Sequence, residues 1–583
     1  MSDYEILNML TSPADIKKMV KQERKKLAAE MRMAILNRVS KEGGHVGPNL
    51  GMVELTIALH TVFDSPKDKI VFDVSHQCYP HKLLTGRAQA FYDDAHFDDV
   101  TGYTNPHESV HDQFVIGHTS TSVSLAAGLA KARDFQGEAY NVIAVIGDGS
   151  LSGGQAFEGL DNVGDFKSNF IVIVNDNEMS IAENHGGLYG NLAELRAGNG
   201  RAENNYFEAL GFEYRYVAAG NDSEALIKVL VDVKDTDHPV VVHVHTLKGK
   251  GYKPAEKNKE KFHWSVPFDL TSGKQVSFAA GEKSYSELVA DYLCDKVKSD
   301  PRLAVINAAT PGDLSLKNFR DKYPDRYFDV GIAEEHAVAF ASGLAKAGMK
   351  PVAAFFSSFI QRAYDQLSQD VAINKTPAVF VIENTGISGM DATHLGVFDL
   401  ALMSSIPNLV CLSPADNYEL KRMLEWAMEQ TDFPVVIRTP AGAPEALRYH
   451  PRAEIKLNEA EVVKKGSKIA LLGLGKMLKL AELVSDRLKE KGIEATIVNP
   501  RFSSSLDERL LNDLAKEHQI FVTLEDGVLA GGWGQQVASY LSDKKVKVYN
   551  FGAGKEFTDK VPAEELYRRY ELTPEQIVQK ILG

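Results

Sequence analysis

Residues 143–155 read IAVIGDGSLSGGQ and join an apolar run to a glycine-rich turn. The apolar run predicts a buried strand, and Gly147 and Gly149 let the chain turn tightly where that strand ends. A helical pattern follows at AFEGL, so the segment is predicted to form a strand, a turn and a helix. Asp148 lies within the turn, and open α/β sheets bind ligands at the carboxyl ends of their strands. The position therefore predicts a ligand-binding role for this acid.

Strand and helix patterns alternate along the chain of 583 residues, which predicts parallel sheets with helices on both faces. We predict three successive doubly wound α/β domains at residues 1–255, 284–445 and 456–583, with a linker at 256–283. The common nucleotide fingerprints are weak, because GLGKML at 473–478 has only two glycines of G-x-G-x-x-G and the sequence has no P-loop motif. Neither an NAD site nor a P-loop site is favoured.

Composition argues against several classes of function. A net charge of −14 is unlike that of a nucleic-acid binder, which normally has a basic surface. The sequence has no run of roughly 20 apolar residues that would span a membrane, and its N-terminus does not resemble a secretory signal. Three widely spaced cysteines fit reduced thiols, so we predict a cytoplasmic protein. The basic run LKGKGYKPAEKNKEKFHW, residues 247–264, is most simply interpreted as a solvated linker.

A second predicted strand also ends in polar residues, one strand–helix–strand length after the first. The next apolar strand, in NFIVIVNDNEMSI, ends at Asn175, Asp176 and Asn177, about 30 residues after Asp148, which is the length of one strand–helix–strand unit. Adjacent parallel strands would bring Asp148 and Asn177 to the same sheet edge, where their oxygens suit Mg²⁺ or Ca²⁺. Each turn alone fits an ordinary Asx turn. The combination favours a metal-bridged diphosphate, with backbone N–H groups of the following helix binding phosphate.

These residues resemble a known motif. GDG followed by NDN is similar to the cofactor motif of thiamine diphosphate enzymes, and the chain resembles their transketolase-like branch, above all the 1-deoxy-D-xylulose-5-phosphate synthase family. The matching strings occur in the family's order in all three predicted domains. They are GGHVGPNLG (43–51), FDVSHQCYPHKLLTGR (72–87), GHTSTSVS (117–124), NDNEMSI (175–181), FDVGIAEEHAVAFASGLA (328–345), FIQRAYDQ (359–366) and LAGGWGQQV (529–537).

The resemblance implies how the cofactor is held. Asp148, Asn177 and the main-chain carbonyl of Met179 are implied to bind Mg²⁺. Phe359 is implied to stack on the cofactor's pyrimidine ring, although a core phenylalanine would look the same without the motif. The residues implied to bind thiamine diphosphate are His76, Gly117, His118, Ser120, Gly149, Ser150, Asn177, Ile181 and Phe359.

The resemblance also implies the catalytic residues. Glu334 is implied to hydrogen-bond to the pyrimidine N1′ atom, although by itself it would be interpreted as an acid at a helix N-terminus. Arg362 is implied to bind the carboxylate of the donor, pyruvate, in bidentate fashion. Histidines can give or take a proton near neutral pH. The implied catalytic set is Glu334, His45, His263, His394, Arg362 and Asp391.

The sequence departs from the family around the acceptor. ENTG replaces the family's D-R-A-G and puts Asn384 at an arginine position, and RTPAG replaces R-Y-P-R-G and puts Ala441 at a second, while Arg438 remains. Phe356 replaces a tyrosine. Charge-assisted hydrogen bonds contribute about 1.5–3 kcal/mol each. Either other basic groups bind the acceptor's phosphate, or the acceptor is not glyceraldehyde 3-phosphate.

Two segments are shorter than their counterparts in the family. The loop SGMDATH, which contains Asp391 and His394, lacks one residue. The segment after Asn191 is much shorter than the long mobile stretch of the family, which is expected to change access to the active site.

The leading hypothesis is a thiamine-diphosphate-dependent transferase that decarboxylates pyruvate and transfers the two-carbon unit to an aldehyde. Transketolase-type transfer of glycolaldehyde from a ketose phosphate and a catalytically silent homologue are the alternatives. The resemblance implies a homodimer without nucleic-acid or membrane partners, with a role in isoprenoid and thiamine biosynthesis. It further implies active sites between the first and second domains of one chain, and a third domain away from the chemistry.

Overall fold

The computed structural model describes residues 4–276, 281–312 and 314–583. The chain divides into two compact units. Unit 1 comprises Met1–Ala279 and Gly331–Ala333, and unit 2 comprises Ala280–Val330 and Glu334–Gly583. Among the described helices, none is both long enough and apolar enough to cross a membrane.

Unit 1 is built on a five-stranded parallel sheet with helices on both faces. Its strands read as unbroken apolar runs, as expected for a sheet covered on both sides. The edge strand Glu213–Val217 lies outside the predicted strands because EYRYV alternates polar and apolar residues and is half-buried. In spatial order the strands are Lys69–Phe72, Val142–Gly147, Phe170–Asp176, Pro239–His245 and Glu213–Val217.

The predicted neighbourhood of the two polar strand ends is confirmed. Strand Val142–Gly147 pairs in parallel with Phe170–Asp176, and Gly147 lies opposite Asn175. Asp148 and Asn177 therefore follow adjacent strands at the same edge. The α-helices of unit 1 are Glu5–Met9, Lys21–Glu42, Gly47–Gly51, Val53–Val62, Tyr79–Leu84, Gln89–Tyr92, Ser122–Gln136, Gly154–Gly164, Gly187–Ala197, Tyr206–Ala209, Ser223–Val233 and Lys253–Lys257, with 3₁₀ helices at Pro13–Lys18, Asp94–Asp99 and Gly149–Ser152.

The basic run at 247–264 is not a solvated linker, and the predicted linker at 256–283 is wrong over its described part up to residue 276. Lys248 is buried, and Phe262 and Phe268 pack into a core of unit 1. Strand Trp264–Ser265 pairs with Gly44–His45. Charge patterning failed here because the exposed lysines alternate with buried aromatic and small residues. The predicted domain boundaries themselves stay predictions.

Unit 2 contains two further sheets. The first is parallel, and its strands in spatial order are Val410–Leu412, Val435–Pro440, Val379–Thr385, Lys350–Phe356, Leu303–Asn307 and Tyr327–Asp329. The second has an antiparallel edge strand that was not predicted, because EVVK is short and half-buried. Its order is Glu461–Lys464, Thr496–Asn499, Lys468–Gly473, His518–Val528 and Lys547–Ala553. The other strands of unit 2 are apolar runs such as Leu303–Asn307 and Lys468–Gly473, and they alternate with helices as the sequence predicts.

Helices cover both sheets of unit 2. The first helix of unit 2 begins at Tyr285, and a capping box between Ser284 and Glu287 defines its start. The α-helices are Tyr285–Ser299, Lys317–Lys322, Glu334–Lys346, Ser357–Ile360, Tyr364–Gln366, Asp399–Met403, Asn417–Glu429, Met477–Glu490, Glu508–Glu517, Trp533–Tyr540, Ala563–Arg569 and Pro574–Leu582, with 3₁₀ helices at Pro324–Arg326 and Gln361–Ala363 and a π-helix at Leu367–Ala372.

A buried ion cluster connects the two sheets of unit 2. The Arg438 guanidinium donates to both carboxylate oxygens of Asp399, from Nε at 2.5 Å and from Nη2 at 3.0 Å, and contacts Asp526 Oδ1 at 3.3 Å. All three side chains are buried. Removing one member of such a cluster leaves charge uncompensated in the interior. Arg438 is thus a structural residue, and its guanidinium is not available to an acceptor phosphate.

We expect Arg438→Ala to destabilise unit 2 by about 3–5 kcal/mol, because two carboxylates lose their buried cationic partner. Arg448→Ala is the control, since Arg448 pairs with Asp486 at the surface and should change stability little. Urea denaturation followed by tryptophan fluorescence reports on unit 2 through Trp426 and Trp533. Equal unfolding midpoints for the two variants would contradict this prediction.

Candidate active site

The candidate metal site of unit 1 lies where two adjacent strands end. Asn184 Nδ2 donates to Asp148 Oδ2 at 2.7 Å, and the backbone N–H of Asn177 also donates to this carboxylate. Burial, reinforced by the negative charge of Asp176, raises the pKa of Asp148 to about 8. The side-chain oxygen of Asn177 is buried and has no hydrogen-bond partner among the described residues. The Asn177 oxygen thus lacks the hydrogen bond that normally accompanies burial, and the two hydrogen bonds to Asp148 do not outweigh the cost of burying its charge.

Asp176, which lies between these strand ends, is already paired. His243 Nε2 donates to its carboxylate at 2.8 Å, Arg196 donates at 2.5 Å, and Tyr214 hydrogen-bonds to the other nitrogen of His243. Burial alone would raise the pKa of Asp176, but His243 and Arg196 outweigh it and lower that pKa. Asp176 therefore orients the strand end and leaves Asp148 and Asn177 as the available oxygens.

The donor set fits a hard divalent cation. In the described part of the chain, no group of three or more His, Cys, Asp or Glu side chains is arranged to hold a metal. One carboxylate, one amide oxygen and a main-chain carbonyl, as predicted for Asp148, Asn177 and Met179, suit Mg²⁺ that also binds phosphate oxygens and water. A cation would offset the buried charge of Asp148 and give the Asn177 oxygen a partner.

Two glycines allow the backbone segments around this edge to approach closely. A Cβ on Gly149 would lie 2.6 Å from Ser180 Cβ, and one on Gly153 would lie 2.2 Å from Ser120 Oγ. Ser120 has a φ of 73°, and its N–H donates to Asp73 at 2.8 Å while its hydroxyl donates to the Ser150 carbonyl at 2.8 Å. The cofactor residues predicted at 117–120 and 149–150 are thus brought together in unit 1.

The predicted helix at AFEGL is confirmed, and a tighter turn precedes it. Gly149–Ser152 forms a 3₁₀ turn, and the α-helix begins only at Gly154. A phosphate beside Gly149 would therefore meet the N–H groups of a 3₁₀ turn first.

Three predicted histidines meet in unit 1. The ring centroids of His45 and His76 are 5.0 Å apart, those of His76 and His263 are 5.2 Å apart, and those of His45 and His263 are 5.6 Å apart. Burial, followed by the charges of neighbouring groups, holds the pKa values of His76 and His263 well below the usual range. Both rings are therefore neutral at pH 7 and able to accept a proton or a hydrogen bond. His118 lies half-buried in the same unit.

The two residues before His76 have unusual backbone conformations. Val74 and Ser75 have φ values of 57° and 62°, a conformation that is costly for a β-branched residue. The Ser75 hydroxyl donates to the Ile116 carbonyl at 2.8 Å and accepts from the Thr104 N–H at 2.9 Å. Asn49 Nδ2 donates to the main-chain carbonyls of both His45 and His76, at 2.8 Å each.

The sequence prediction missed Lys248. Its ammonium donates to the Ser180 carbonyl and lies 3.0 Å from His263 Nδ1. Burial lowers its pKa to about 7, although the nearby Asp148 favours the charged form. Perturbed lysines in such surroundings are typical of functional sites. The available signal was a lysine followed by a glycine three residues after the buried strand Pro239–His245, but it lay within the run assigned to a linker.

Unit 2 contains the remaining predicted residues. Glu334 is the first residue of its helix and is only 2% exposed. Burial raises its pKa, while Arg362, whose Nη1 lies 3.4 Å from Glu334 Oε2, acts in the opposite direction. Asp391 Oδ1 lies 3.1 Å from His394 Nδ1, and the His394 ring packs edge-on against Phe359 at 5.4 Å. The structure therefore brings together two groups, Glu334 with Arg362 and Phe359 with Asp391 and His394.

The positions that depart from the family pattern share one edge of the six-stranded sheet. Phe356 pairs with Glu383, and Glu383 pairs with Thr439, so Phe356, Asn384 and Ala441 lie at or just beyond the ends of three adjacent strands. Phe356 packs against Phe359 with ring centroids 5.5 Å apart. The substitutions thus concentrate in one place, next to the residue predicted to stack on the pyrimidine.

The loop that contains Asp391 and His394 corrects one expectation. Its residues Ile387, Leu395 and Val397 belong to a hydrophobic cluster formed mainly by the C-terminal sheet and its helices. The third predicted domain therefore contacts the loop that contains Asp391 and His394, whereas the resemblance implied a domain away from the chemistry.

Comparison with known proteins identifies the family. The profile described as 1-deoxy-D-xylulose-5-phosphate synthase matches residues 7–205 and 199–246. A 1-deoxy-D-xylulose-5-phosphate synthase from Symbiobacterium thermophilum is 42% identical over 613 residues, covering 98% of this chain and 94% of that protein. The chain belongs to the 1-deoxy-D-xylulose-5-phosphate synthase family. A synthase of the same name from Caldanaerobacter subterraneus subsp. tengcongensis is also 42% identical, with 99% of each chain covered.

The remaining comparisons agree with family membership. Profiles described as the transketolase pyrimidine binding domain and the transketolase C-terminal domain match residues 282–444 and 458–577. The resemblance and the α/β fold class are thereby confirmed, and the chain is a transketolase-like transferase of the synthase family. A solved transketolase from Campylobacter jejuni aligns with 97% of this chain and 100% of its own length at 19% identity and a TM-score of 0.45.

We expect Gly153→Ala to destabilise unit 1 by about 1–3 kcal/mol, because the new Cβ would collide with Ser120 and displace its hydrogen bond to Ser150. Gly154→Ala is a matched control, since a Cβ there meets no atom of the described chain within 4 Å. Urea denaturation followed by circular dichroism compares the two variants. A Gly153→Ala midpoint equal to or above that of Gly154→Ala would overturn the close-approach argument.

Proposed function

We propose that the protein uses thiamine diphosphate and Mg²⁺ to decarboxylate pyruvate and to transfer the two-carbon unit to an aldehyde, as in 1-deoxy-D-xylulose-5-phosphate synthesis. The observation that carries the proposal is that two adjacent strands end in a buried Asp148 carboxylate and in an Asn177 side-chain oxygen that has no hydrogen-bond partner among the described residues. Family membership supports the same conclusion. Retention of this pair together with Glu334 argues against a silent homologue.

In this proposal the strand ends of unit 1 hold the cation and the diphosphate. Asp148, Asn177 and the Met179 carbonyl bind Mg²⁺, and the N–H groups after Gly149 bind phosphate. Lys248 is buried close enough to influence the pKa of Asp148, so it adds positive charge to the same region. His76 and His118 complete the cofactor contacts together with Gly117, Ser120, Ser150 and Ile181.

Glu334 supplies the acid of the proposal. When bound, thiamine diphosphate supplies a carbon nucleophile that adds to the carbonyl of the donor. Burial of Glu334 favours its protonated form, which can donate a hydrogen bond to a ring nitrogen. The Arg362 guanidinium lies 3.4 Å from Glu334 Oε2 and would stabilise the Glu334 carboxylate when the proton leaves.

Histidine side chains are proposed to provide the remaining proton transfers. His45 and His263 are proposed to exchange protons with substrate oxygens in unit 1. His394 is proposed to act likewise in unit 2, oriented by Asp391, which accepts a hydrogen bond from it. Arg362 is proposed to bind the donor's carboxylate, and Phe359 to stack on the pyrimidine. We further propose a cytoplasmic homodimer, the arrangement expected of the family.

The acceptor is the open part of the proposal. Asn384 offers one neutral hydrogen-bond donor and Ala441 offers none, while Arg438 is occupied by Asp399 and Asp526. Two charge-assisted hydrogen bonds at about 1.5–3 kcal/mol each correspond to several powers of ten in affinity. This favours an aldehyde that does not depend on those two arginine positions for binding.

The proposal is tested by CO₂ release from pyruvate in the presence of Mg²⁺, thiamine diphosphate and a panel of aldehydes. We expect acceptor-dependent release that falls by about 10²–10⁴-fold in Glu334→Gln, with cofactor binding retained. Glu335→Gln is the matched control and should remain close to the unchanged protein.

The panel also separates the alternatives. The highest kcat/KM with glyceraldehyde 3-phosphate would mean that other groups replace the two arginines. A preference for an unphosphorylated aldehyde would assign the acceptor pocket to Asn384 and Ala441. Absence of CO₂ with every acceptor, despite bound cofactor, would refute pyruvate as the donor and favour transketolase-type transfer.

Asn177→Ala is expected to weaken Mg²⁺-dependent binding of thiamine diphosphate by on the order of tenfold or more, because the cation loses one oxygen ligand. Isothermal titration with Mg²⁺ and with a chelator measures the effect. Asn162→Ala is the control, since Asn162 is exposed and its amide only caps a carbonyl within its own helix. Unchanged Mg²⁺-dependent binding in Asn177→Ala would remove this residue from the metal site.

A further inference from the structure

The segment from Gly386 to Val397, called here the 386–397 loop, has little regular structure of its own. It is closed at its base, where the Gly386 N–H donates to the Gly396 carbonyl at 2.7 Å. At its tip, Asp391 accepts from the Thr393 N–H at 2.9 Å and lies against His394. Fixing one residue of such a loop costs about 1–2 kcal/mol of conformational entropy. The geometry of Asp391 and His394 therefore depends on whatever holds the loop.

The apolar contacts of this loop are made with the C-terminal region. Ile387, Leu395 and Val397 are 4%, 7% and 8% exposed and belong to one buried cluster. Most of that cluster comes from the C-terminal sheet and its helices, including Leu471, Val522, Leu524, Phe551, Leu566 and Ile577. Both arms of the loop are thus inserted into the C-terminal core.

Hydrogen bonds from the C-terminal region follow the loop to its tip. The Val528 N–H donates to the Val397 carbonyl at 2.8 Å, and the Lys560 N–H donates to the Met390 carbonyl at 3.0 Å. Asp559 Oδ1 accepts from the Ala392 N–H at 3.3 Å, one residue from Asp391. Next to the loop, the exposed Phe557 ring packs edge-on against Phe398 at 5.7 Å. Residues 557–560 form a brace along the outer side of the loop.

A close approach fixes the base of the loop. A Cβ on Gly386 would lie 2.1 Å from Asp526 Oδ2, so only glycine allows the backbone to come this near the carboxylate. Asp526 is itself held by Arg438. The ion cluster that joins the two sheets thus also defines where the loop begins.

We infer that the C-terminal region is a positioning element for Asp391 and His394, with the 557–560 brace as its adjustable part. The region contributes no reacting group. It determines how closely Asp391 and His394 are held in the arrangement that the reaction needs. The inference rests on the proposed function, since it assumes that these two residues handle substrate.

The test combines amide hydrogen exchange of the loop with steady-state kinetics on full-length protein. Asp559→Ala removes the acceptor for the Ala392 N–H, and Asp559→Asn retains an oxygen that can accept it. The double variant Phe557→Ala/Asp559→Ala removes both side-chain contacts of the brace. Asp543→Ala is the control, because Asp543 is an exposed acid of the same region that pairs with Lys544. All these positions are exposed, so the variants are expected to fold.

We expect exchange of the Ala392 amide to be about fivefold faster in Asp559→Ala, as for one lost hydrogen bond, and faster still in the double variant. We expect kcat/KM to fall by about fivefold or more in the same order, with recovery in Asp559→Asn and no change in Asp543→Ala. Recovery by asparagine distinguishes hydrogen-bonded positioning from a general effect of charge.

Two outcomes would overturn the inference. Unchanged exchange of the loop in the double variant would show that the brace does not hold it, whatever the kinetics. Faster exchange with unchanged kcat/KM would show that the brace does not position the catalytic pair. If the unchanged protein has no turnover with pyruvate, the proposed function fails, and the exchange data still decide separately whether the C-terminal region holds the loop.

Discussion

Burial of the Asp148 carboxylate is the constraint on which the ligand-binding edge of unit 1 depends. The parallel pairing of Gly147 with Asn175 brings this acid next to the Asn177 oxygen, and both are removed from water. Asp176 is stabilised by His243 and Arg196, so the protein itself supplies charge compensation for one of two neighbouring acids. A buried charge without a partner is costly. The proposed cation would offset the remaining buried charge at this edge and attract phosphate.

Much of the fold and part of the site followed from the sequence, for identifiable reasons. Buried parallel strands read as apolar runs, and the length of a strand–helix–strand unit placed Asp148 beside Asn177. Edge strands such as Glu213–Val217 were not predicted from the sequence, because half-buried segments mix polar and apolar residues. Lys248 was not predicted as a site residue, because charge counts do not distinguish a buried lysine from its solvated neighbours. Only the packing around Lys248 shows that it is buried.

The motif RTPAG at residues 438–442 combines a structural position with a variable one. Arg438 is kept, but its guanidinium is occupied by two buried carboxylates that hold the sheets together. Its presence therefore says nothing about an acceptor. Ala441 follows the end of its strand, and Asn384 lies at an irregularity in the strand pairing between Glu383 and Thr385. A different side chain at these positions changes the sheet edge next to Phe356 and leaves the buried ion cluster intact.

The shortened loop and the substituted acceptor position are physically linked. The 386–397 loop is anchored at Ile387 and at Leu395 and Val397, and Asp391 and His394 lie between these anchors. At its base, a Cβ on Gly396 would lie 2.1 Å from the Asn384 carbonyl, which ties the backbone of Asn384 to loop closure.

Asn384 has a φ of 57°, a left-handed conformation that asparagine adopts more readily than most residues. An asparagine at this position therefore suits the tightly closed loop as well as an acceptor that needs less positive charge. A substitution at Asn384 and a change in length of the 386–397 loop therefore both affect the closure of this loop. The C-terminal core holds the loop in place through Ile387, Leu395 and Val397.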